Sequence, residues 1–445
     1  EAVLAGNRAE ARAWFLRGSF EADAGRLEEA VRAWSSLVAL RPDDEMARLA
    51  LENLVMDRTG FEAAVRSDLA AWRFRRAADF EKRLLYQKAQ AEYRRGLAID
   101  PYSARGRARY AELLRMSGLK TSYLAELRFL AGLGKDDRAI KDAIEIYSSL
   151  LDGSVPGNWN VDGTALEGVP YRLTVYATGG RKDSFHPGSN FIMAKYIRDL
   201  LAMEPGLAPR KDTPGVESFA DAFRLSRESG DEWFVLVSVA ETDRDVVVSA
   251  ELRTARTGEL AFRIEVPRSG NDRVTAASAY LVAAVQDALP LRGVVIDRNA
   301  SRVLIDLGAV DGIRKGDNLL VVRNNKITIK PDGSGLEWND GDAVASLVVD
   351  TVDDEVSEAT MKRLGFFDRL NPGDIVVRPP SDAPATDTAG TQQRPAPDAP
   401  AGNGTPGTAS GTAPAGNGKP VAGTAATPVA SFVWSTLFDR VRSLY

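Results

Sequence analysis

The loop GGRKDSFHPGSN, residues 179–190, gathers the groups best suited to catalysis: Arg181, Lys182, Asp183, Ser184 and His186, the sole histidine of the chain. A nucleophilic hydrolase needs a base oriented by a third group and facing an oxyanion hole. Here Ser184 and His186 stand two residues apart in a Gly/Pro-bounded loop, without the strand–turn–helix setting of a nucleophile elbow. The paired glycines before Arg181 and Lys182 could form an anion nest. The phosphate-loop pattern G-x-x-x-x-G-K-[ST] is absent. An ordinary exposed loop is the reading favoured here, ahead of anion or partner contact and of catalysis.

A second candidate is SRVLIDLGAVDGIRKGDNLLVVR, residues 301–323, with Gly308, Gly312 and Gly316 at equal spacing. A phosphate loop runs from a strand into a helix N-terminus. This stretch runs from strand to strand and carries Asp311 and Asp317, which would repel phosphate. Its glycines instead suit a chain reversal, by positive φ and close backbone approach. Gly373, in Pro372-Gly373-Asp374 before Ile375-Val376-Val377, repeats the device. Asp311, Asp317, Asp350, Asp353, Asp354 and Glu355 could hold calcium weakly, but no EF-hand pattern is present. One histidine and scattered carboxylates lack zinc-ligand spacing, so neither metal nor cofactor is expected.

The elements positioning these residues belong to 445 residues with room for two to four domains. The net charge of −5 argues against a nucleic-acid binder. The lack of cysteine excludes disulfides and thiol chemistry without fixing the compartment. No apolar run reaches the length of a membrane span. The chain begins EAVLAG, as a processed or trimmed chain would, so a signal peptide is outside view.

Residues 1–150 carry helical periodicity. ARAWFLRGSFEADAGRLEEAVRAWSSLVALRPDD resembles a tetratricopeptide repeat at Trp14, Gly18, Gly25, Ala30, Trp34 and Pro42. Gly18 and Ala30 would let two helices approach, Trp14 and Trp34 fill the gap, and Pro42 stop the second helix. Arg17 and Glu21 depart from the family's apolar preference. Ala89, Tyr93 and Pro101 repeat Ala30, Trp34 and Pro42 at an interval of 59 residues, so the repeats are irregular or another helix pair intervenes. A further pair turns at Ser117–Gly118. Five to seven helices are expected, offering a groove to a partner's peptide or helix, or serving as a plain spacer. Arg73, Arg75, Arg76, Arg94 and Arg95 read as a solvated face, because residues 1–150 hold 26 basic and 23 acidic side chains.

Residues 160–290 read β-α-α-β-β-β-α: YRLTVYA, SNFIMAKYIRDLLAM, VESFADAFRLSRES, WFVLVSV, DVVVSAEL, ELAFRIEV and a helix ended by Pro290. This order, with Leu252 to Thr257-Gly258 as a hairpin, resembles the N-terminal domain of the translocation protein TolB. It also resembles the middle domains of curli-pore and flagellar H-ring proteins. In residues 291–378, Val303, Ile305-Asp306-Leu307-Gly308, Gly312-Ile313, Gly316-Asp317, Leu319 and Val321, followed by Pro372-Gly373-Asp374, resemble the C-terminal domain of the flagellar H-ring family. That resemblance implies a periplasmic, non-enzymatic component of a structure around the flagellar basal body. Six or seven short strands are expected here, as a closed barrel or sandwich.

Between Pro379 and Ala430, 39 of 52 residues are Pro, Ala, Gly or Thr, which predicts a disordered tether reaching roughly 40 Å. SFVWSTLFDRVRSLY, residues 431–445, then places Trp434, Leu437, Phe438, Val441 and Tyr445 on one helical face. Such a helix suits another protein's groove. Docking on its own repeats and contact with a membrane surface are the alternatives.

The fold class expected is multidomain α + α/β + β: a helical-repeat solenoid (1–150), a small α/β domain (160–290), a small β-barrel (291–378), a disordered linker (379–430) and an amphipathic helix (431–445). The function expected is a non-enzymatic envelope scaffold of a flagellar periplasmic assembly. Protein partners would meet Trp434, Leu437, Phe438, Val441, Tyr445, Trp14 and Trp34. Nucleic acid is not expected, and oligomerisation is left open. The alternatives are an envelope transport or lipoprotein-type accessory unrelated to motility, and a ligand-binding or hydrolytic protein using loop 179–190.

Overall fold

The computed structural model describes residues 2–166, 168–179, 185–365 and 369–379. Arg181, Lys182, Asp183 and Ser184, the expected linker beyond Pro379 and the expected helix 431–445 lie outside the described residues. Up to Pro379 the chain packs as one compact unit.

Among the described residues nine helices open the chain, more than the five to seven expected: α1 (Ala2–Gly6), α2 (Ala11–Asp23), α3 (Leu27–Leu40), α4 (Glu45–Arg58), α5 (Ala64–Lys82), α6 (Tyr86–Ile99), α7 (Ala104–Met116), α8 (Lys120–Gly132) and α9 (Arg138–Asp152). The pairs α2/α3, α5/α6 and α7/α8 pack as hairpins. What separates the first two hairpins is the single helix α4 rather than a helix pair, which accounts for the interval of 59 residues.

Small residues set these hairpins. A Cβ on Gly18 would fall 2.3 Å from the Trp34 indole, and one on Gly96 would fall 2.4 Å from the Phe74 ring. Four hairpin helices end with a residue in left-handed conformation, Gly25, Leu84, Gly118 and Gly134. In each case the next N–H reaches back to close the turn, as Leu85 N–H does to Phe80 C=O at 2.9 Å.

After the short α10 (Val155–Asn158), a six-stranded sheet forms from β1 (Tyr171–Thr178), β2 (Leu207–Pro209), β3 (Gly215–Val216), β4 (Trp233–Glu241), β5 (Asp245–Thr254) and β6 (Leu260–Ser269). The main path is β2-β1-β4-β5-β6, with β3 also on β1. The β1 pairings are parallel, and β4-β5-β6 are antiparallel. Helices α11 (Ser189–Leu201) and α13 (Arg273–Ala288) cover one face. Helix α12 (Phe219–Ser229) covers the other over β1 and β4. Strands β1 and β4 are buried on both sides, so they read as near-continuous apolar runs rather than alternating ones.

The remaining strands are β7 (Arg292–Asn299), β8 (Arg302–Ile305), β9 (Asn318–Val322), β10 (Thr328–Ile329), β11 (Leu336–Glu337), β12 (Ala343–Val352), β13 (Ser357–Arg363) and β14 (Ile375–Val377). Six of them close a barrel in the order β12-β13-β8-β7-β14-β9, while β10 and β11 form a separate hairpin. Closure leaves no barrel edge unpaired. No helix among the described residues is long and apolar enough to cross a membrane.

Candidate functional site

Helix α4 is the piece around which the site is built. Residues Glu45 to Asn53 are all buried, so it lacks the polar outer face of an ordinary repeat helix. Met46 and Leu49 join the core of the α/β sheet, while Ala47, Ala50 and Leu51 join the core of the repeats. One helix therefore belongs to two cores.

A network of charges surrounds α4. Arg73 of α5 grips Glu52 bidentately at 2.7 and 2.9 Å and reaches Glu92 of α6 at 2.9 Å. Arg95 of α6 bonds the same Glu52 at 3.0 Å, the side-chain Oδ1 of Asn53 at 3.0 Å, and Asp199 of α11 at 2.8 Å. Arg76 extends the chain to Glu92 at 3.1 Å and Asp272 at 2.7 Å. Glu45 accepts from the Val274 N–H at 2.8 Å and the Thr275 hydroxyl at 2.7 Å, satisfying the N-terminal turn of α13.

Glu52, Arg73 and Arg95 are 0, 2 and 1% exposed. The expectation that Arg73 and Arg95 line a solvated face is thus corrected. Burial works to raise the Glu52 carboxyl, but Arg73 and Arg95 outweigh it and hold it below the usual carboxylate range. Burial likewise opposes the charge on Arg73, and Glu52 and Glu92 outweigh it. Glu45, with weaker compensation from Thr275 and Arg76, is raised by its burial. The network holds fixed, mutually satisfied charges, which suits holding two modules in register better than proton transfer.

His186 makes a second bridge. Its ring lies 2% exposed, with Nδ1 3.1 Å from Glu241 of β4 and Nε2 3.1 Å from Asp44, the N-cap of α4. Its own N–H donates to Glu241 at 2.7 Å, and Phe15 packs edge-on at 4.6 Å. Burial lowers the imidazolium, but hydrogen bonds to the two carboxylates outweigh this and raise it to about 9. This corrects the exposed-loop reading for His186: it is a buried cation tying the repeats to the sheet.

The barrel is fastened in a similar way. Asp354 accepts from Lys120 N–H at 3.2 Å at the start of α8, Glu355 from Ser122 at 2.9 Å, and Asp353 from Val155 N–H at 3.3 Å at the start of α10. Glu358 accepts from the Trp159 indole at 2.7 Å and pairs with Arg302. Of the acidic residues weighed as a weak calcium site, Asp353, Asp354 and Glu355 thus spend oxygens on the first turns of α8 and α10, while Asp311, Asp317 and Asp350 accept from Gly308 N–H, Arg314 N–H and the Thr360 hydroxyl. Among the described residues no group of three or more His, Asp or Glu is arranged to hold a metal ion. On the sheet side, Arg292 grips Glu232 and lies 3.7 Å over the Tyr171 ring.

The remaining predicted residues fall as follows. Trp34 is buried, donates to the Phe15 carbonyl at 3.1 Å and packs on Gly18, so its indole serves this chain's own helices rather than facing a partner. Trp14 is half-buried and donates to the Arg8 carbonyl at 2.8 Å. Gly312, Gly316 and Gly373 have φ of +74°, +90° and +87° at reversals, while Gly308 is extended and pressed against the 354–356 backbone. Trp434, Leu437, Phe438, Val441 and Tyr445 lie outside the described residues.

Residues 300–378 match the family model of flagellar assembly protein T, C-terminal domain. The match runs from β8 to β14 and includes all four glycines named above. Residues 170–287 match a second model, described as the second domain of the TPASS_0648 family. A comparison with curated proteins finds no match.

Among solved structures, the PelC dodecamer from Paraburkholderia phytofirmans is 17% identical over 27% of this chain and 86% of its own, with a TM-score of 0.21. MamA is 12% identical over 31% and 81%, with a TM-score of 0.18. TolB from Acinetobacter baumannii is 9% identical over 45% and 62%, with a TM-score of 0.22. At TM-scores this low they carry no weight for function.

Proposed function

We propose that this chain is a non-enzymatic scaffold of the bacterial cell envelope, working in the periplasm as part of a flagellar assembly. The observation that carries the reading is the match of residues 300–378 to the C-terminal domain of flagellar assembly protein T. Buried ion bridges support it, because they hold repeats and sheet in one fixed arrangement where an enzyme would keep reactive groups open to a substrate. Partners would meet the exposed repeat surface and the 431–445 segment, whose Trp434 and Phe438 are the anchors.

The test is capture of the native chain from its own cells, beside a version lacking 431–445, with the co-purified proteins identified by mass spectrometry. Basal-body proteins that accompany the full chain and are lost from the shortened one support the reading. Recovery of no flagellar or envelope protein with either version, together with unimpaired motility on deletion of the gene, overturns it.

A further inference from the structure

Strand β6 is the long free edge of the sheet, since β5 pairs it on one side and the other side carries no strand among the described residues. Its backbone direction can be read from the ladder. Gly270 N–H donates to the Arg244 carbonyl at 3.3 Å, in register with Asp245 opposite Ser269. Hydrogen-bonded pairs alternate along an antiparallel ladder. From Phe262 onward, beyond the register shift at Leu252/Arg253, even-numbered residues of β6 therefore turn their N–H and C=O towards β5, and odd-numbered ones turn theirs outward. Pro267, which has no N–H, falls in the outward set, where a proline is tolerated. Arg263 and Glu265 are left with both backbone groups unpaired by the sheet.

The side chains at those positions have opposite charge and flank Ile264. Arg263 and Glu265 are each more than half exposed, on the face where Glu251 also lies. Phe262, Ile264 and Val266 alternate with them on the opposite face, towards α13, and Phe262 and Ile264 are only partly covered. We infer that β6 pairs antiparallel with β6 of a second copy of this chain, about a two-fold axis at Ile264.

That register sets Arg263 opposite Glu265 of the second copy, and Glu265 opposite its Arg263. Each pair exchanges two backbone hydrogen bonds, and opposite charges directly across a ladder attract. On the other face Phe262 meets Val266 and Ile264 meets itself, extending the half-covered apolar row. Charged residues on an edge ordinarily deter pairing. Here the deterrent is selective, because a two-residue slip of the register opposes like charges. Pro267, without an N–H, falls opposite the register shift at Ala261, which ends the paired run. A two-fold contact of this kind is isologous and closes at a dimer.

The chain has no cysteine, so a disulfide probe has no background. Ile264 on the axis would form a non-hydrogen-bonded pair with Cα atoms about 4.5 Å apart, within disulfide reach. In Ile264→Cys, mild oxidation should give a covalent dimer. Ser269→Cys, on the same strand but far from its symmetry mate, should stay monomeric. Sedimentation of the full chain should show a dimer, Glu265→Arg should weaken it about tenfold or more while keeping the melting curve, and Arg263→Glu with Glu265→Arg should restore it. A monomer at every concentration overturns the inference, as does Ile264→Cys cross-linking no faster than Ser269→Cys. A dimer indifferent to Glu265→Arg overturns it too.

Discussion

Arg95 of α6 and Asp199 of α11 meet at 2.8 Å across 104 residues of sequence, with both side chains buried. Neither ion has water to fall back on: Arg95 depends on Asp199 and Glu52, and Asp199 on Arg95 and on Arg198 at 2.7 Å. Buried pairs contribute little relative to an apolar replacement, but removing one partner strands the other and costs roughly 3–5 kcal/mol. Asp199→Ala should therefore lower the unfolding free energy by about that amount. It should also loosen the repeats from the sheet, so that amides of α4 and α11 exchange faster than those of the barrel core. Hydrogen exchange resolved by segment, with a denaturant titration, checks both.

The His186 bridge predicts an alkaline loss of stability. Its folded pKa is raised from 6.5 to about 9, so its contribution is complete below 6.5 and disappears as pH rises through 9. At full strength the shift corresponds to about 3 kcal/mol. Asp44 moves oppositely: its burial raises it, His186 outweighs this, and the lowered carboxyl gives a contribution lost only on strong acidification. With one histidine and no cysteine, the other side chains that titrate on the alkaline side are tyrosines and lysines, whose ordinary values of about 10 lie at the top of the range. Thermal melts from pH 6 to 10 should decline for the natural chain and stay flatter for His186→Gln.

Much of the architecture was legible because local pattern and burial agree. Strands β4 to β6, the hairpin at Gly258 and the turn at Gly118 follow from runs a few residues long. The junctions were not, because their partners are remote in sequence. His186 finds Asp44 at a separation of 142 residues, and Arg95 finds Asp199 at 104. A cluster of arginines balanced by carboxylates has the composition of a solvated face whether or not another module covers it. One clue was available: EMARLALENLV sets apolar residues on every side of α4, the mark of a helix buried all round. Strands β2 and β3, three and two residues long, are held by pairing with β1 and have no local signal.

Leu84 is strained where its counterparts are glycines. It holds φ 58° at the end of α5, in the position of Gly25, Gly118 and Gly134, with its side chain 67% exposed. A left-handed conformation costs a non-glycine residue roughly 1–2 kcal/mol, and glycine gives some of that back through its freer unfolded chain. Leu84→Gly should stabilise the protein by about 0.5–1 kcal/mol. A raised denaturation midpoint with unchanged slope is the expected reading, and a lowered midpoint would show that Leu84 packs in a way its exposure conceals.

Gly308 and Gly312 belong to one motif but are required for different reasons, and the difference is measurable. Gly312 has φ +74° with open space around its missing side chain, so Gly312→Ala should cost about 1 kcal/mol of backbone strain and nothing else. Gly308 is extended, yet a Cβ there would lie 2.4 Å from the Asp354 carbonyl oxygen and 2.6 Å from Glu355 carbon. The rigid backbone it meets is anchored by Ala309 and Val310 N–H bonds to Asp353 and Asp354, and the same turn caps α8 and α10. Overpacking of this kind costs about 1–3 kcal/mol or more. Gly308→Ala should therefore destabilise the barrel beyond Gly312→Ala and speed exchange at Lys120 and Val155, amides that Gly312→Ala leaves protected. Equal costs for the two substitutions would mean that the turn at 353–356 yields, and that the barrel is held to the helices chiefly by Trp159 and Glu358.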